Sequence, residues 1–222
     1  MSPHHSLSLI DGKNEQKRKE TIQKMYPKKV RLRNDSIVEI KLMRPEDLDG
    51  LFSFFEMLPE DIRLYLRSDV RDKDVVARRM KSCDRLTFFR TVVLNESRII
   101  AEAGIYRERN SWKQHLGEIR VIIDPEYQQI GLGAVLMREL YEIAHIVGVQ
   151  ILFANTVEEQ YGSIKILQKL GFRIETVKKG HVLDLRGNKH DQMVMTCNLH
   201  ELWKRLECSI YDLELGRGLE AQ

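Results

Sequence analysis

The stretch Ile119-Arg120-Val121-Ile122-Ile123-Asp124-Pro125-Glu126-Tyr127-Gln128-Gln129-Ile130-Gly131-Leu132-Gly133-Ala134 decides how this chain is read. It opens on an apolar, β-branched run that suits a strand. Asp124-Pro125 stops that run, and a short polar turn leads to two glycines. Beyond them Leu132, Val135, Leu136, Leu140, Ile143 and Val147 recur at helical spacing until Gly148 ends the pattern. The first N–H groups of a helix lack partners inside it, and the helix dipole adds partial positive charge there. A strand, a turn and a glycine-rich helix start therefore make an anion site. Gly131 and Gly133 are expected to keep side chains away from a ligand that must approach the backbone. No Lys-Ser/Thr pair follows them, which excludes a Walker loop. The third glycine of the dinucleotide fingerprint is absent, and the turn is longer than that motif allows.

Upstream of this stretch, Leu116 to Ile123 reads as the strand itself. Leu86 to Leu94 and Arg98 to Tyr106 are two more strand runs, joined at Asn95-Glu96-Ser97. Three helices are expected before them. One begins at Arg44-Pro45-Glu46-Asp47 and carries Leu48, Leu51, Phe52, Phe55 and Leu58 on one face. Another begins at Pro59-Glu60-Asp61 and a third at Asp72-Lys73-Asp74. Val30 to Arg33 and Val38 to Leu42 form a hairpin around Asn34-Asp35-Ser36. Downstream, Val149 to Ala154 is an apolar strand suited to a sheet centre, and Glu158 to Leu170 is a helix closed by Gly171. Strands near 172–185 and 191–199 follow, then a helix from His200 to about Cys208. This order predicts an α/β or α+β domain with a mixed sheet.

Hydrophobic residues make up 42% of the 222, enough for a packed core. No apolar run reaches the roughly 20 residues of a membrane span, and no secretory signal is visible at Met1 to Ile10. Cys83, Cys197 and Cys208 are too scattered for a disulfide framework or a zinc site. No metal is expected, and a reducing cytoplasm is the expected location. The formal charge is +3. Lys13 to Arg33 holds nine Lys/Arg and two Glu, a net +7, so the remainder carries −4. Residues 1–29 are read as a basic, flexible arm whose first nineteen residues are poorly ordered. Residues 30–208 are read as one domain and 209–222 as a tail.

Gln-x-x-Gly-x-Gly after a strand, here Gln128 to Gly133, resembles the acyl-CoA loop of GNAT N-acetyltransferases. Leu167-Gln168-Lys169-Leu170-Gly171-Phe172 resembles the later helix of that family, which ends in Gly-Phe. The resemblance covers about Ile37 to Leu199. The nearest likeness is to the GNAT domain of Pat-type bacterial protein lysine acetyltransferases. It rests on Gly117-Glu118, Arg44-Pro45-Glu46-Asp47 and Phe54-Phe55-Glu56-Met57-Leu58-Pro59. It implies a mostly antiparallel central sheet with helices on both faces, its fourth and fifth strands splayed to admit acetyl-CoA. Val121, Ile122 and Ile123 would then meet the pantetheine arm through main-chain bonds. N–H groups of Gln129, Ile130, Gly131, Leu132, Gly133 and Ala134 would hold the pyrophosphate beside Gln128. Asn155, Gln160 and Ser163 would add further contacts to the cofactor.

By the same resemblance Glu118 is the general base. An amine nucleophile must shed a proton, since a lysine ammonium has a pKa of about 10.4. A carboxylate in a partly apolar cleft is expected to have a raised pKa suited to that task. Many GNAT enzymes place a tyrosine acid four residues before the Gly-Phe glycine. Leu167 stands there, as in the Pat-type subgroup, and Gln160 stands where that subgroup has Asn. The implied reaction is direct acetyl transfer from acetyl-CoA to an amine, either a small molecule or a protein lysine. An acyl-CoA sensor without turnover is the second reading, and nucleic-acid binding through the basic segment is the third and weakest. No membrane partner is expected, and a homodimer is left open.

Overall fold

The computed structural model describes residues 3–81, 87–109 and 111–204. Helix α1 (Pro3–Lys24) leads into β1 (Lys28–Arg31) and β2 (Ile37–Leu42). Helices α2 (Leu48–Met57), α3 (Glu60–Leu64) and α4 (Lys73–Lys81) follow. Then come β3 (Phe88–Asn95), β4 (Arg98–Tyr106), β5 (Leu116–Ile123), α5 (Leu132–Val147), β6 (Ile151–Val157), α6 (Tyr161–Lys169), β7 (Arg173–Leu183) and β8 (Lys189–Asn198). One eight-stranded sheet runs β1-β2-β3-β4-β5-β6-β8-β7. Every neighbouring pair is antiparallel except β5 and β6. Those two are parallel because α5 connects them as a crossover. The mixed, mostly antiparallel sheet expected from the sequence is thus present.

Two apolar layers cover the sheet. On one face Leu132, Leu136, Leu140, Ile143 and Val147 of α5 are fully buried with Ile22 of α1, Ile164 of α6 and Ile119 of β5. On the other, Leu51, Phe54 and Phe55 of α2 and Val76 of α4 pack on Val92 and Ile99. Phe55 is core as its spacing suggests; Phe54, off that face, is buried as well, and Phe52 is only partly covered. Burying a side chain of this size contributes about 1.5–3 kcal/mol. The α5 stripe fixes both the helix and the loop at its head.

The amino-terminal segment departs from expectation. Residues read as poorly ordered are helical from Pro3, and α1 packs on the body. Its anchors are few: Ile22 is buried, and buried Glu15 receives Arg107 at 3.1 Å and the Nε of Arg109 at 2.8 Å. Among the described residues a buried, ion-paired carboxylate and one isoleucine hold the helix, which leaves little apolar periodicity for the sequence to reveal. Part of the basic charge is also matched within the fold, as Lys28 pairs with buried Glu139.

Two boundaries also shift. The strand expected over Val149 to Ala154 is β6, which runs on through Asn155 and Thr156. Helix α6 begins at Tyr161 rather than Glu158. The Gln160 side chain explains both, since its Oε1 accepts from Thr156 Oγ1 at 2.8 Å and from the Val157 N–H at 3.3 Å. It thereby prolongs the strand and closes the turn. Leu86 and Cys83 lie outside the described residues. The last helix is described over 199–204, so Cys208 and the tail 209–222 also lie outside. Among the described residues no helix is long and apolar enough to cross a membrane.

Candidate active site

Strand β5 presents two different faces. Ile119, Val121 and Ile123 point to the α5 layer, while Glu118, Arg120 and Ile122 point toward α2. Its pairing with β6 is brief: Leu116, Gly117 and Glu118 face Ile151, Leu152 and Phe153, and the register ends there. Beyond Glu118, β6 stays with β8 through Val157. The β6-facing edge of β5 at Val121, Ile122 and Ile123 has no strand partner among the described residues. The two parallel strands are splayed, and Glu118 sits where they part.

Glu118 is buried, with 6% of its surface exposed. Arg67, from the segment between α3 and α4, forms a close ion pair with its Oε1. Asn155 Nδ2 donates to the same oxygen at 2.8 Å, and Arg120 reaches Oε2 at 3.5 Å. Burial pushes the carboxyl pKa up, but the Arg67 hydrogen bond and charge, then Asn155 and Arg120, bring it below the ordinary value. The raised pKa expected of a carboxylate in an apolar cleft is therefore not found. The cleft supplies two guanidinium groups, of which Arg67 comes from outside the strand.

Beside this group the Phe88 ring lies 5.3 Å from the Arg90 guanidinium and 6.0 Å from that of Arg120. Tyr106 meets it edge-on at 6.0 Å. Gly104 makes this crowding possible, since a Cβ there would lie 2.9 Å from the Phe89 carbonyl oxygen and 3.1 Å from Arg90 Cγ.

The glycine loop sits at the head of α5. Asp124 Oδ1 accepts from the Glu126 N–H at 3.1 Å and so caps the turn, while its other oxygen pairs with Arg98. The Gln128 side chain donates to the Ile123 carbonyl at 3.4 Å. Gln129 and Gly131 then adopt left-handed conformations, with φ of 63° and 91°. The first bond made by an α5 N–H runs from Val135 to the Gly131 carbonyl, at 3.1 Å. Among the described residues, the N–H groups of Gln129, Ile130, Gly131, Leu132, Gly133 and Ala134 have no backbone acceptor. Six successive donors at the positive end of a 16-residue helix fit a pyrophosphate. Within the protein the two glycines differ. A Cβ at Gly131 would meet Arg33 Cγ at 3.3 Å, and one at Gly133 would rest against Ile123 at 3.6 Å. Gly131 serves the positive φ and the passage of Arg33, and Gly133 could carry a side chain without a clash inside the protein.

The remaining sequence candidates divide. Asn155 joins Glu118, whereas the Gln160 carbonyl is committed to its own turn. Ser163 is exposed on α6. Leu167 packs into the α5 layer. A cavity of about 790 Å³ between α1, β2, α2 and α4 is lined by none of these residues.

Residues 54–172 match the model of the Acetyltransferase (GNAT) family. The chain belongs to that family. Solved GNAT structures share its fold. An acetyltransferase of the GNAT family from Streptococcus pneumoniae is 19% identical, with a TM-score of 0.62 over 72% of this chain and 99% of that one. The GNAT domain of PAT from S. lividans is 16% identical, with a TM-score of 0.64 over 78% and 96%. Salmonella typhimurium yncA, solved with its cofactor acetyl-CoA, is 18% identical, with a TM-score of 0.61 over 73% and 94%. This GNAT protein is thus an acyltransferase, built on the mostly antiparallel sheet and parted strands that its loop motif implied.

Three residues beside Glu118 and the glycine loop escaped the sequence reading. Arg120 was within reach, because two residues along a strand return to the same face. Arg67 lies 51 positions before Glu118 and Arg33 almost a hundred before the loop, and neither leaves a local signal.

Proposed function

We propose that this chain is an acetyl-CoA-dependent N-acetyltransferase that acts on an amine, either a small molecule or a protein lysine. The observation that carries the reading is the row of six unpartnered N–H groups, Gln129 to Ala134, beside the gap between β5 and β6. The loop would bind the cofactor's pyrophosphate, and the open edge at Val121, Ile122 and Ile123 would align its pantetheine arm. Acetyl-CoA supplies the activated thioester.

Glu118 is the proposed base. An arriving ammonium group competes with Arg67 for Oε1. Arg67 is 38% exposed and has solvent to move into. Once Arg67 leaves, burial is the strongest influence left on Glu118, and its proton affinity rises as the amine must lose a proton. One ammonium proton passes to Glu118, the new N–C bond forms, the C–S bond breaks to release the thiolate, and the second proton that nitrogen sheds as the amide forms goes to that thiolate. Asn155 keeps the carboxylate aimed throughout.

Leu167 favours a second reading, since it packs half-buried against the core and offers no acid to the departing thiolate. On that reading the domain binds acyl-CoA without turnover.

Calorimetric titration with acetyl-CoA tests the first claim. Gly133→Glu is the matched control, because it places a carboxylate at the helix head without a left-handed φ or a steric clash. Saturable binding by the parent and at least a tenfold loss in the variant are expected. A folded parent that does not bind acetyl-CoA would sink the proposal. Binding without turnover on any amine would favour the sensor.

A further inference from the structure

We propose that Arg33, at the tip of the β1–β2 hairpin, is a phosphate-binding residue of the acyl-CoA site. The inference rests on the cofactor reading given above and extends the site to a part of the chain outside the residues that match the family model. The hairpin tip is tied to the loop. The Arg33 N–H donates to the Ile130 carbonyl at 3.1 Å, and the Leu32 and Asp35 N–H groups close the turn at 2.9 and 3.0 Å. Buried Leu32 anchors it in the core. The Arg33 side chain then runs along Gly131, its Cγ, Cδ and Nε 3.3–3.5 Å from where a Cβ would stand. A left-handed glycine leaves room for that chain, and almost any other residue would push it aside.

Charge gives this placement its meaning. The positive end of α5 and a guanidinium are like charges, and a cation at a helix N-terminus is unfavourable. Neighbouring acids do not relieve it. Asp124 and Glu126 pair with Arg98, and Asp35 pairs with Arg31 at 3.8 Å. Among the described residues Arg33 is exposed and has no carboxylate partner. An anion placed across the loop would satisfy both the unpartnered N–H row and this guanidinium, which suits phosphate through its fork of donors. An acyl-CoA offers two such anions, the pyrophosphate and the ribose 3′-phosphate.

Arg33→Gln keeps the first part of the stem over Gly131 and removes the charge, whereas Arg33→Lys keeps the charge. Calorimetry with acetyl-CoA, CoA and dephospho-CoA reads the result, with melting temperatures checked alongside. We expect Arg33→Gln to weaken acetyl-CoA binding by about tenfold, equal to about 1.4 kcal/mol. Arg33→Lys should recover most of that loss, and the variant's affinity should depend less on salt. A loss that vanishes with dephospho-CoA assigns the contact to the 3′-phosphate, and a loss that persists assigns it to the pyrophosphate. Acetyl-CoA affinity within twofold of the parent in Arg33→Gln at low salt would overturn the proposal. A parent that binds no acetyl-CoA would instead remove the cofactor reading beneath it.

Discussion

Glu118 carries opposed influences. Burial favours its neutral form, while Arg67, Asn155 and Arg120 favour the carboxylate and prevail. Its proton affinity is therefore set by which partner occupies Oε1. In the free enzyme the acid limb of kcat/KM should lie below the ordinary Glu range, because the base stays ionised there. Arg67→Met removes the main opposing charge, so that limb should move to higher pH. Glu118→Gln should lower kcat by about 10²–10⁴-fold with acetyl-CoA affinity unchanged. A pH profile identical in parent and Arg67→Met would show that Arg67 does not tune the base. The strand and its carboxylate could be read from the sequence because strand residues alternate and the glycine loop lies ten positions on. The depressed pKa could not, because Arg67 arrives from a different element.

At the scale of elements, the β7–β8 hairpin is clasped to α3 by ionic contacts. His190 Nδ1 faces Glu159 at 2.7 Å and Nε2 faces Asp184 at 3.0 Å, with the Tyr65 ring edge-on at 5.3 Å. Arg186 holds Glu60 at 2.6 Å, and the Leu185 N–H meets the Leu64 carbonyl at 3.3 Å. Asp184 and then Glu159 raise the His190 pKa above its ordinary 6.5. A raised folded-state pKa gives stability that is full below about 6.5 and lost as pH climbs through the folded value. Melting temperature should therefore fall on passing above neutrality, and His190→Gln should flatten that dependence. A parent whose melting temperature ignores pH between about 6 and 9 would count against the clasp. Sequence spacing located both strands but gave no sign that their turn docks on α3.

Across the whole molecule, α1 depends on one buried carboxylate. Glu15 takes Arg107 and Arg109 from the segment after β4, and Ile22 enters the α5 layer beside them. Removing one partner of a buried pair costs about 3–5 kcal/mol. Glu15→Ala should thus lower the melting temperature by roughly 6–20 °C for a chain of this size. A shift under about 2 °C, measured by scanning calorimetry, would show that the helix is dispensable.

The sequence by itself determined the strand, the turn and the glycine-headed helix of residues 119–147, and with them the GNAT fold. Those signals are local: a period of two, a period of 3.6, a proline stop and glycines where φ turns positive. It also placed Glu118 on the strand that leads into the loop. The tertiary structure alone decided what surrounds these groups. It parted β5 from β6 at Glu118, set Arg67 and Asn155 on the carboxylate, ran Arg33 along Gly131, and drew a polar amino-terminal helix onto the body. Each of these joins residues far apart in the chain through charge or close approach, which leaves no periodic trace in either partner.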